Sequence, residues 1–315
     1  MCSSDLDMGK YVVRRLLQMI PVILGATFLI FWMVYALPGD PTAGKCGERA
    51  CSEAYVAAYY EEHNLNDPLL VQYGKYLGKV VQGDLGTNQY DVPVTQDLAV
   101  RYQVTGKLAL MAVVFEVVIG LLAGIISGIR KGKFIDNLVL VSTLVVISIP
   151  IFVIGALAQY FLGVKLGLFP VTVGGDPSLY ELALPAMVLG SVSVAYVARL
   201  TRTNLAENLR SDYVRTATAK GLTRRRAVGL HALRNSLIPV VTFVGFDFGA
   251  LLGGAIVTEA IFNIQGIGSY IYRGINTRDG VAVVGAVTVL VLVYLLVNLL
   301  VDLLYGFLDP RISHD

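Results

Sequence analysis

Charge is scarce in this chain. Only 15% of its 315 residues are Asp, Glu, Lys or Arg, against about 25% in an ordinary soluble domain. At the same time 55% are hydrophobic and the mean hydropathy is +0.66. A core hiding that much apolar surface would need a far longer chain, so lipid is the expected solvent. Catalytic motifs are missing as well. A phosphate-cradling loop needs G-x-x-x-x-G-K-[ST], and every Gly-Lys pair fails at the next residue: Gly9-Lys10-Tyr11, Gly44-Lys45-Cys46, Gly74-Lys75-Tyr76, Gly78-Lys79-Val80, Gly106-Lys107-Leu108 and Gly132-Lys133-Phe134. No HExxH or GxSxG occurs. The sequence therefore gives no ATPase or membrane protease, no catalytic residue, and no cofactor or metal bound by this chain. A nucleic-acid partner is not expected either. No internal repeat is apparent, which weakens a carrier built on inverted repeats.

Apolar runs are abundant. Six reach or approach the roughly 20 residues that a helix needs to cross the hydrocarbon core: 16–37, 105–129, 138–162, 182–197, 236–260 and 281–304. The fourth is the shortest and contains Pro185. The first is long and lacks a small-residue cleavage site, so no cleavable signal peptide is expected; Met1–Asp7 reads as an extension ahead of Met8-Gly9-Lys10. The expected fold is an all-α membrane protein, a six-helix polytopic bundle with a small extracytoplasmic region after the first helix. The expected division is 1–104 (N-terminal segment, first span and outer region) and 105–315 (a five-helix core). Proline at 21, 150, 185 and 239 is expected to kink helices.

Basic residues set the orientation. They lie before the first span (Lys10, Arg14, Arg15), between spans two and three (Arg130, Lys131, Lys133), and densely between spans four and five, from Arg199 to Arg234. The links after spans three and five are almost free of them, so both termini are expected in the cytoplasm. The segment 38–103 breaks the pattern, but loops this long translocate largely regardless of charge. It is expected to hold amphipathic helices near 52–63 and 68–81, then a turn at Gly83-Asp84-Leu85-Gly86. Cys46 and Cys51 fall in this outer segment, where thiols oxidise. They read as a disulfide closing a small loop, or else as two free thiols. The nearest histidine, His63, has no companions for a zinc site.

Three features stand out, the first for packing and the other two for candidate function. Gly120, Gly124 and Gly128 line one face of span two, and Gly245, Gly249 and Gly253 one face of span five; such stripes let helix backbones pack closely in lipid. Glu116 and Asp247 sit in the middle of spans two and five, where an ionisable group marks a path, a cavity or a structural pair. Glu259 and Asp302, nearer span ends, are expected to reach interfacial water. The third feature is the cytoplasmic stretch Asp212-Tyr213-Val214-Arg215-Thr216-Ala217-Thr218-Ala219-Lys220-Gly221-Leu222, continuing through Thr223-Arg224-Arg225-Arg226 to His231-Ala232-Leu233-Arg234. It reads as a helix ended by a left-handed Gly221, then a basic helix with Thr223 at its N-cap. Such a pair either docks into a partner's groove or is a solvated basic loop against acidic lipid.

That stretch resembles the "EAA" loop of importer permeases of the ATP-binding-cassette superfamily, in particular the OppB/DppB-type subunits of the peptide/nickel branch. The resemblance runs nearly end to end. It takes in Arg14-Arg15-Leu16-Leu17, Leu37-Pro38-Gly39-Asp40-Pro41, Asp67-Pro68-Leu69, Gly83-Asp84-Leu85-Gly86, Ser148-Ile149-Pro150-Ile151-Phe152, Ala198-Arg199-Leu200, Glu259-Ala260-Ile261-Phe262 and Leu308-Asp309-Pro310-Arg311. It implies a type I importer permease forming half of a peptide pathway in the bacterial plasma membrane, with a coupling loop about 199–235. In that loop Tyr213, Arg215, Ala217, Ala219, Lys220, Gly221, Leu222, His231 and Arg234 would meet the ATPase. The implied partners are a second homologous permease, two ATPase subunits holding ATP and Mg, and an extracytoplasmic substrate-binding lipoprotein. Three departures stand out. Arg215 occupies the position of the loop's naming glutamate, Gln265 stands where proline is usual, and Gly280 stands where an aromatic is usual.

The topology is directly testable. Single cysteines at Thr172 and Ser211 are expected to label with impermeant maleimide from opposite sides of the membrane, Thr172 from outside. Labelling of both from one side would sink the six-span arrangement.

Overall fold

The computed structural model describes residues 4–35, 51–62 and 64–308. Among them the regular structure is helical: α1 (Ser4–Tyr35), α2 (Glu53–Glu62), α3 (Leu69–Val81), α4 (Val94–Ile129), α5 (Phe134–Ser148), α6 (Ile151–Ala158), α7 (Leu179–Asn208), α8 (Asp212–Ala219), α9 (Arg224–Arg226), α10 (Arg234–Ser236), α11 (Ile238–Gly254), α12 (Ile256–Ile261), α13 (Ile267–Asn276) and α14 (Gly280–Leu308). Two π-helical segments, Gln159–Lys165 and Ala227–Leu233, follow α6 and α9.

Among the described residues four helical stretches are long and apolar enough to cross a membrane: Val12–Tyr35, Val94–Ile129, Leu179–Asn208 and Gly280–Leu303. Two bent pairs bring the total to as many as six. Arg224–Ser236 meets Ile238–Gly253 at 45°, and Phe134–Ser148 meets Ile151–Lys165 at 101°. The third apolar run is thus not the straight span that its hydropathy predicts. Proline 150 has no N–H and forces the residue before it out of the helical region; Ile149 is extended at φ −95°, ψ 126°. Pro150 then opens the next helix, its carbonyl accepting from the amides of Val153 and Ile154 at 2.9 and 3.2 Å. The 15 residues of α5 cover only about 22 Å, less than the roughly 30 Å of a hydrocarbon core. Pro21 and Pro185, in contrast, lie inside α1 and α7. Two boundaries also differ from the sequence reading: α4 begins eleven residues before 105, and α7 begins three residues before 182 and runs eleven beyond 197.

The residues fall into two compact units, 106–264 and the combination of 1–105 with 265–315. The 106–264 unit is built on backbone proximity between α4 and α7. A Cβ placed on Gly120 would lie 2.7 Å from Val197, one on Gly124 2.6 Å from the Ala198 carbonyl oxygen, and one on Gly128 3.2 Å from Leu205. Gly190 returns the contact, 2.9 Å from the Ala112 carbonyl. Residue numbers rise together along this seam, so the helices run parallel. α5 runs antiparallel to α7: Arg202 reaches Asp136 and Arg199 reaches Thr143. Asp136 is 1% exposed and fully satisfied. Its carboxylate accepts from Ser127 Oγ, from the Gly132 amide at 2.8 Å, and from Arg202 Nε and an Arg202 terminal nitrogen at 2.7 and 2.8 Å.

The other unit packs α1 antiparallel to α14. Arg15 pairs with Asp302 at 3.2 Å, and a Cβ on Gly280 would lie 2.7 Å from Val34. An aromatic side chain at 280 would collide with α1, which accounts for that departure. α3 lies on both helices through its tyrosines. The Tyr73 hydroxyl donates to the Leu24 carbonyl at 2.9 Å and lies 2.8 Å from Thr27, and Tyr76 lies 2.7 Å from Thr288. Phe31 packs among Tyr35, Tyr73 and Tyr76 with tilted rings, centroids 4.6–5.6 Å apart. Asp279 caps α14 by accepting from the Ala282 amide at 3.0 Å, and holds the turn after α3 through the Gln89 amide at 2.7 Å. Leu85, Val94, Leu98, Ile267 and Ile271 fill the apolar core of this unit.

The Asp136 cluster gives a testable outcome. Asp136→Ala leaves the half-buried Arg202 guanidinium without its partner, a loss of at most about 3–5 kcal/mol. It should lower the thermal midpoint of the detergent-purified protein sharply. Asp136→Leu combined with Arg202→Met should recover most of that loss, because it removes both charges while keeping volume. A double variant no more stable than Asp136→Ala would show that the pair is not the source.

Candidate functional site

The cytoplasmic stretch singled out in the sequence folds as two short helical arms meeting at a glycine. α8 ends in a Schellman motif: the Gly221 amide donates to the Thr218 carbonyl at 3.0 Å and the Leu222 amide to the Ala217 carbonyl at 3.2 Å. That geometry demands a left-handed residue, and Gly221 has φ +89°. A Cβ at Gly221 would meet nothing within 4 Å. The demand is therefore conformational and not steric. Thr223 occupies the N-cap of α9 with extended backbone, but its side chain makes no capping hydrogen bond. The second arm is α9, the π-helical Ala227–Leu233 and α10. A π-helical turn leaves the regular ladder and is frequent at functional positions.

The arms are anchored on one side and bare on the other. Val214 is buried with Leu205, Ala227 and Ala232, and Ile125, Leu209 and Leu233 pack around them. Ala217, Leu222 and His231 are half-buried. Tyr213, Arg215, Ala219, Lys220, Gly221 and Arg234 are exposed, as are Arg224, Arg225 and Arg226. Arg215 forms an exposed i,i+3 contact with Asp212 at 3.7 Å, a geometry that contributes little. The bare side is therefore strongly basic, around an amphipathic α8 whose apolar edge is already occupied. The structure thus gathers the sequence-predicted loop residues on a single local feature. Asn208 and Ser236, which tie its two ends, carry no signal in the sequence beyond being polar at the edges of apolar runs.

A second candidate lies within the spans. Glu116, on α4, is fully buried. Its carboxyl faces Asp247 on α11 and Ser193 on α7, yet neither of its oxygens meets a donor at hydrogen-bonding geometry. Asp247 is half-buried, and one of its oxygens is likewise unpartnered. The two carboxyls that the sequence places in separate spans are therefore neighbours, with Asp247 the more accessible. Glu259 is not at the water interface: it is buried on α12, because the chain breaks at Ala255 and turns that short helix against α6 and α7. Asp302 is paired with Arg15. Cys51 is disulfide-bonded; Cys46 lies outside the described residues. Among the described residues no group of three or more His, Cys, Asp or Glu could hold a metal ion.

Similarity to known proteins covers the whole of this geometry. Residues 120–314 match the family described as the binding-protein-dependent transport system inner membrane component, and residues 8–104 match its N-terminal counterpart. The chain is 37% identical to the dipeptide transport system permease protein DppB of Alkalihalophilus pseudofirmus over 334 residues, covering 98% of the chain and all of the relative. It is 36% identical to the DppB protein of Escherichia coli K12 over 337 residues, covering 98% of the chain and 99% of the relative. It is also 37% identical to the glutathione transport system permease protein GsiC of Salmonella typhimurium over 308 residues, again covering 98% and 100%.

The carboxyl pair generates its own test. Two facing carboxyls have a donor only while one of them holds a proton, whereas an amide donates at any pH. Glu116→Gln should donate to Asp247 and raise the unfolding midpoint, with a charged-acceptor hydrogen bond contributing about 1.5–3 kcal/mol. Glu116→Ala, which provides no donor and leaves a void, should lower it. A Gln variant less stable than the Ala variant would show that the two carboxyls do not meet.

Proposed function

The chain belongs to the family of binding-protein-dependent transport system inner membrane components, and from that premise we propose that it is the permease subunit of an ATP-driven importer of di- and oligopeptides. It forms half of the translocation pathway; a second, homologous permease supplies the other half. Two ATPase subunits carry ATP and Mg on the cytoplasmic side, and an extracytoplasmic lipoprotein delivers the substrate. Both termini are cytoplasmic in this reading, which puts the Arg130–Lys133 turn and the basic loop on the same side as the ATPases. Short peptides are the favoured substrate class because the chain is similar to permeases named for dipeptides and for glutathione.

The observation that carries the reading is the loop built around Gly221. One side of α8 is fixed by Val214, and the other presents Tyr213, Arg215, Ala219 and Lys220 outward. A helix held at a set angle by a left-handed cap is suited to enter a groove on an ATPase. Closure of the ATPases around ATP then pushes the loop from Ala217 to Leu233, and the push reaches the end of α7 directly. Inside the bundle, Asp247 borders the path with Glu116 behind it. There the pair offers negative charge to a peptide's ammonium group.

Gly221→Val tests the reading. The open space at that position means that no clash confuses the result, and a left-handed backbone costs a residue with Cβ about 1–2 kcal/mol, the β-branched ones most. The variant should insert normally and still receive the binding protein, yet lose about tenfold in ATPase co-purification or peptide uptake at matched expression. Arg215→Ala, which changes charge without changing the bend, should lose less. A loop that serves only to orient the chain by its charge would give the reverse ranking.

A further inference from the structure

The loop is held at both ends by one side chain. Asn208, the last residue of α7, accepts a hydrogen bond at Oδ1 from the Tyr213 hydroxyl at 2.7 Å, in the first turn of α8. Its Nδ2 donates to the Ser236 hydroxyl at 3.0 Å, at the end of α10. Ser236 is fully buried and passes the connection on to the Ala232 carbonyl at 2.6 Å. The Asn208 carbonyl itself accepts from Ser211 Oγ at 2.6 Å. One carboxamide therefore touches the beginning of the first arm and the end of the second, 28 residues apart in sequence from itself to Ser236.

The chemistry of this position is specific. A carboxamide accepts and donates at once without carrying charge, whereas a carboxylate only accepts and an aliphatic side chain does neither. The apolar cluster of Leu205, Val214, Ala227 and Ala232 holds α8 against the second arm, but apolar contacts are non-directional and let a short helix slide or rotate. The two hydrogen bonds are directional and fix both arms to the same residue of α7.

We propose that Asn208 is a positioning residue, a staple that makes the two arms and the end of α7 move as one body, so that displacement of the loop is delivered to the span without slack. This rests on the coupling role proposed above. Asn208 touches neither substrate nor nucleotide; it acts through the placement of α8.

The test uses the complete transporter reconstituted in vesicles with its ATPase and binding-protein partners and a mixture of labelled dipeptides. Asn208→Leu removes both hydrogen bonds at similar volume. It should retain ATP hydrolysis and its KM for ATP, while peptide taken up per ATP falls about thirtyfold, the effect of losing the net contributions of two hydrogen bonds. Amide exchange across Asp212–Ala219 should quicken by a similar factor, with α7 unchanged. Tyr213→Phe, which deletes one hydroxyl from an exposed ring, should give a smaller defect and add nothing in the Asn208→Leu background. Normal uptake per ATP in Asn208→Leu, beside a defective Gly221→Val, overturns the staple and leaves the loop reading standing. Normal coupling in both variants removes both ideas. Hydrolysis and uptake falling in equal proportion assigns Asn208 to folding alone and also overturns the proposal. Should Asn208→Leu fail to assemble, the same ratio measured in Tyr213→Phe decides.

Discussion

Lipid removes the main force that assembles soluble proteins: apolar side chains gain nothing by leaving hydrocarbon for one another. Association must come from close packing and from polar groups that find partners. The seam between α4 and α7 meets that constraint directly. Glycines at 120, 124 and 128 bring one backbone against the other, so near that a single Cβ would collide with a carbonyl. At the loop end of the seam, the Asp136 carboxylate gathers donors from the end of α4, the following turn and α7. The first contact is close because nothing intervenes. The second is strong because every lone pair is used. The loop emerges from the end of α7, so its foundation depends on both.

The contrast between Asp136 and Glu116 shows how a buried carboxyl can be read. Both are almost wholly removed from solvent. Asp136 is surrounded by donors and fixes the position of three segments. Glu116 faces another acid and a hydroxyl, with neither oxygen satisfied. A structural role explains the first completely and the second poorly. Unsatisfied buried polar atoms are rare in native proteins and each calls for a reason; in a spanning bundle the reason is commonly a passing ligand or a partner chain.

Much of this was legible in the sequence. Length and apolarity located runs one, two, four and six, because a helix in lipid needs only those two properties; run five is interrupted, its helix meeting the preceding arm at 45° and ending at Gly254. Gly221 between an Ala- and Thr-rich helix and an Arg-rich one announced its left-handed backbone, and the paired amides of a Schellman motif explain why. Other features were hidden for definite reasons. Pro150 was expected to kink a helix, but a kink and a 101° break share one sequence signal; the outcome depends on how the preceding carbonyls, such as that of Val146, replace the N–H that proline lacks. Glu259 was expected near water because hydropathy counts residues along a straight axis, and the break at Ala255 turns that axis. Asp136 was overlooked as one acid beside a basic turn. A signal did exist, since an acidic residue at the start of an apolar run asks for a cation, and Arg202 stands near the end of another.

Asn208 was invisible for a deeper reason. Its partners lie 5 and 28 residues away, on opposite sides of a glycine turn, and no periodicity links them. The fold makes the link by returning the second arm to the place where the first began. A left-handed cap alone fixes the angle between two arms but not the position of either on the helix that carries them. A hydrogen-bonded residue at their common root fixes position but not angle. In the coupling role proposed above, force applied at the tip of α8 would reach α7 undiminished only when both are set, and the glycine and the asparagine would be complementary parts of one joint.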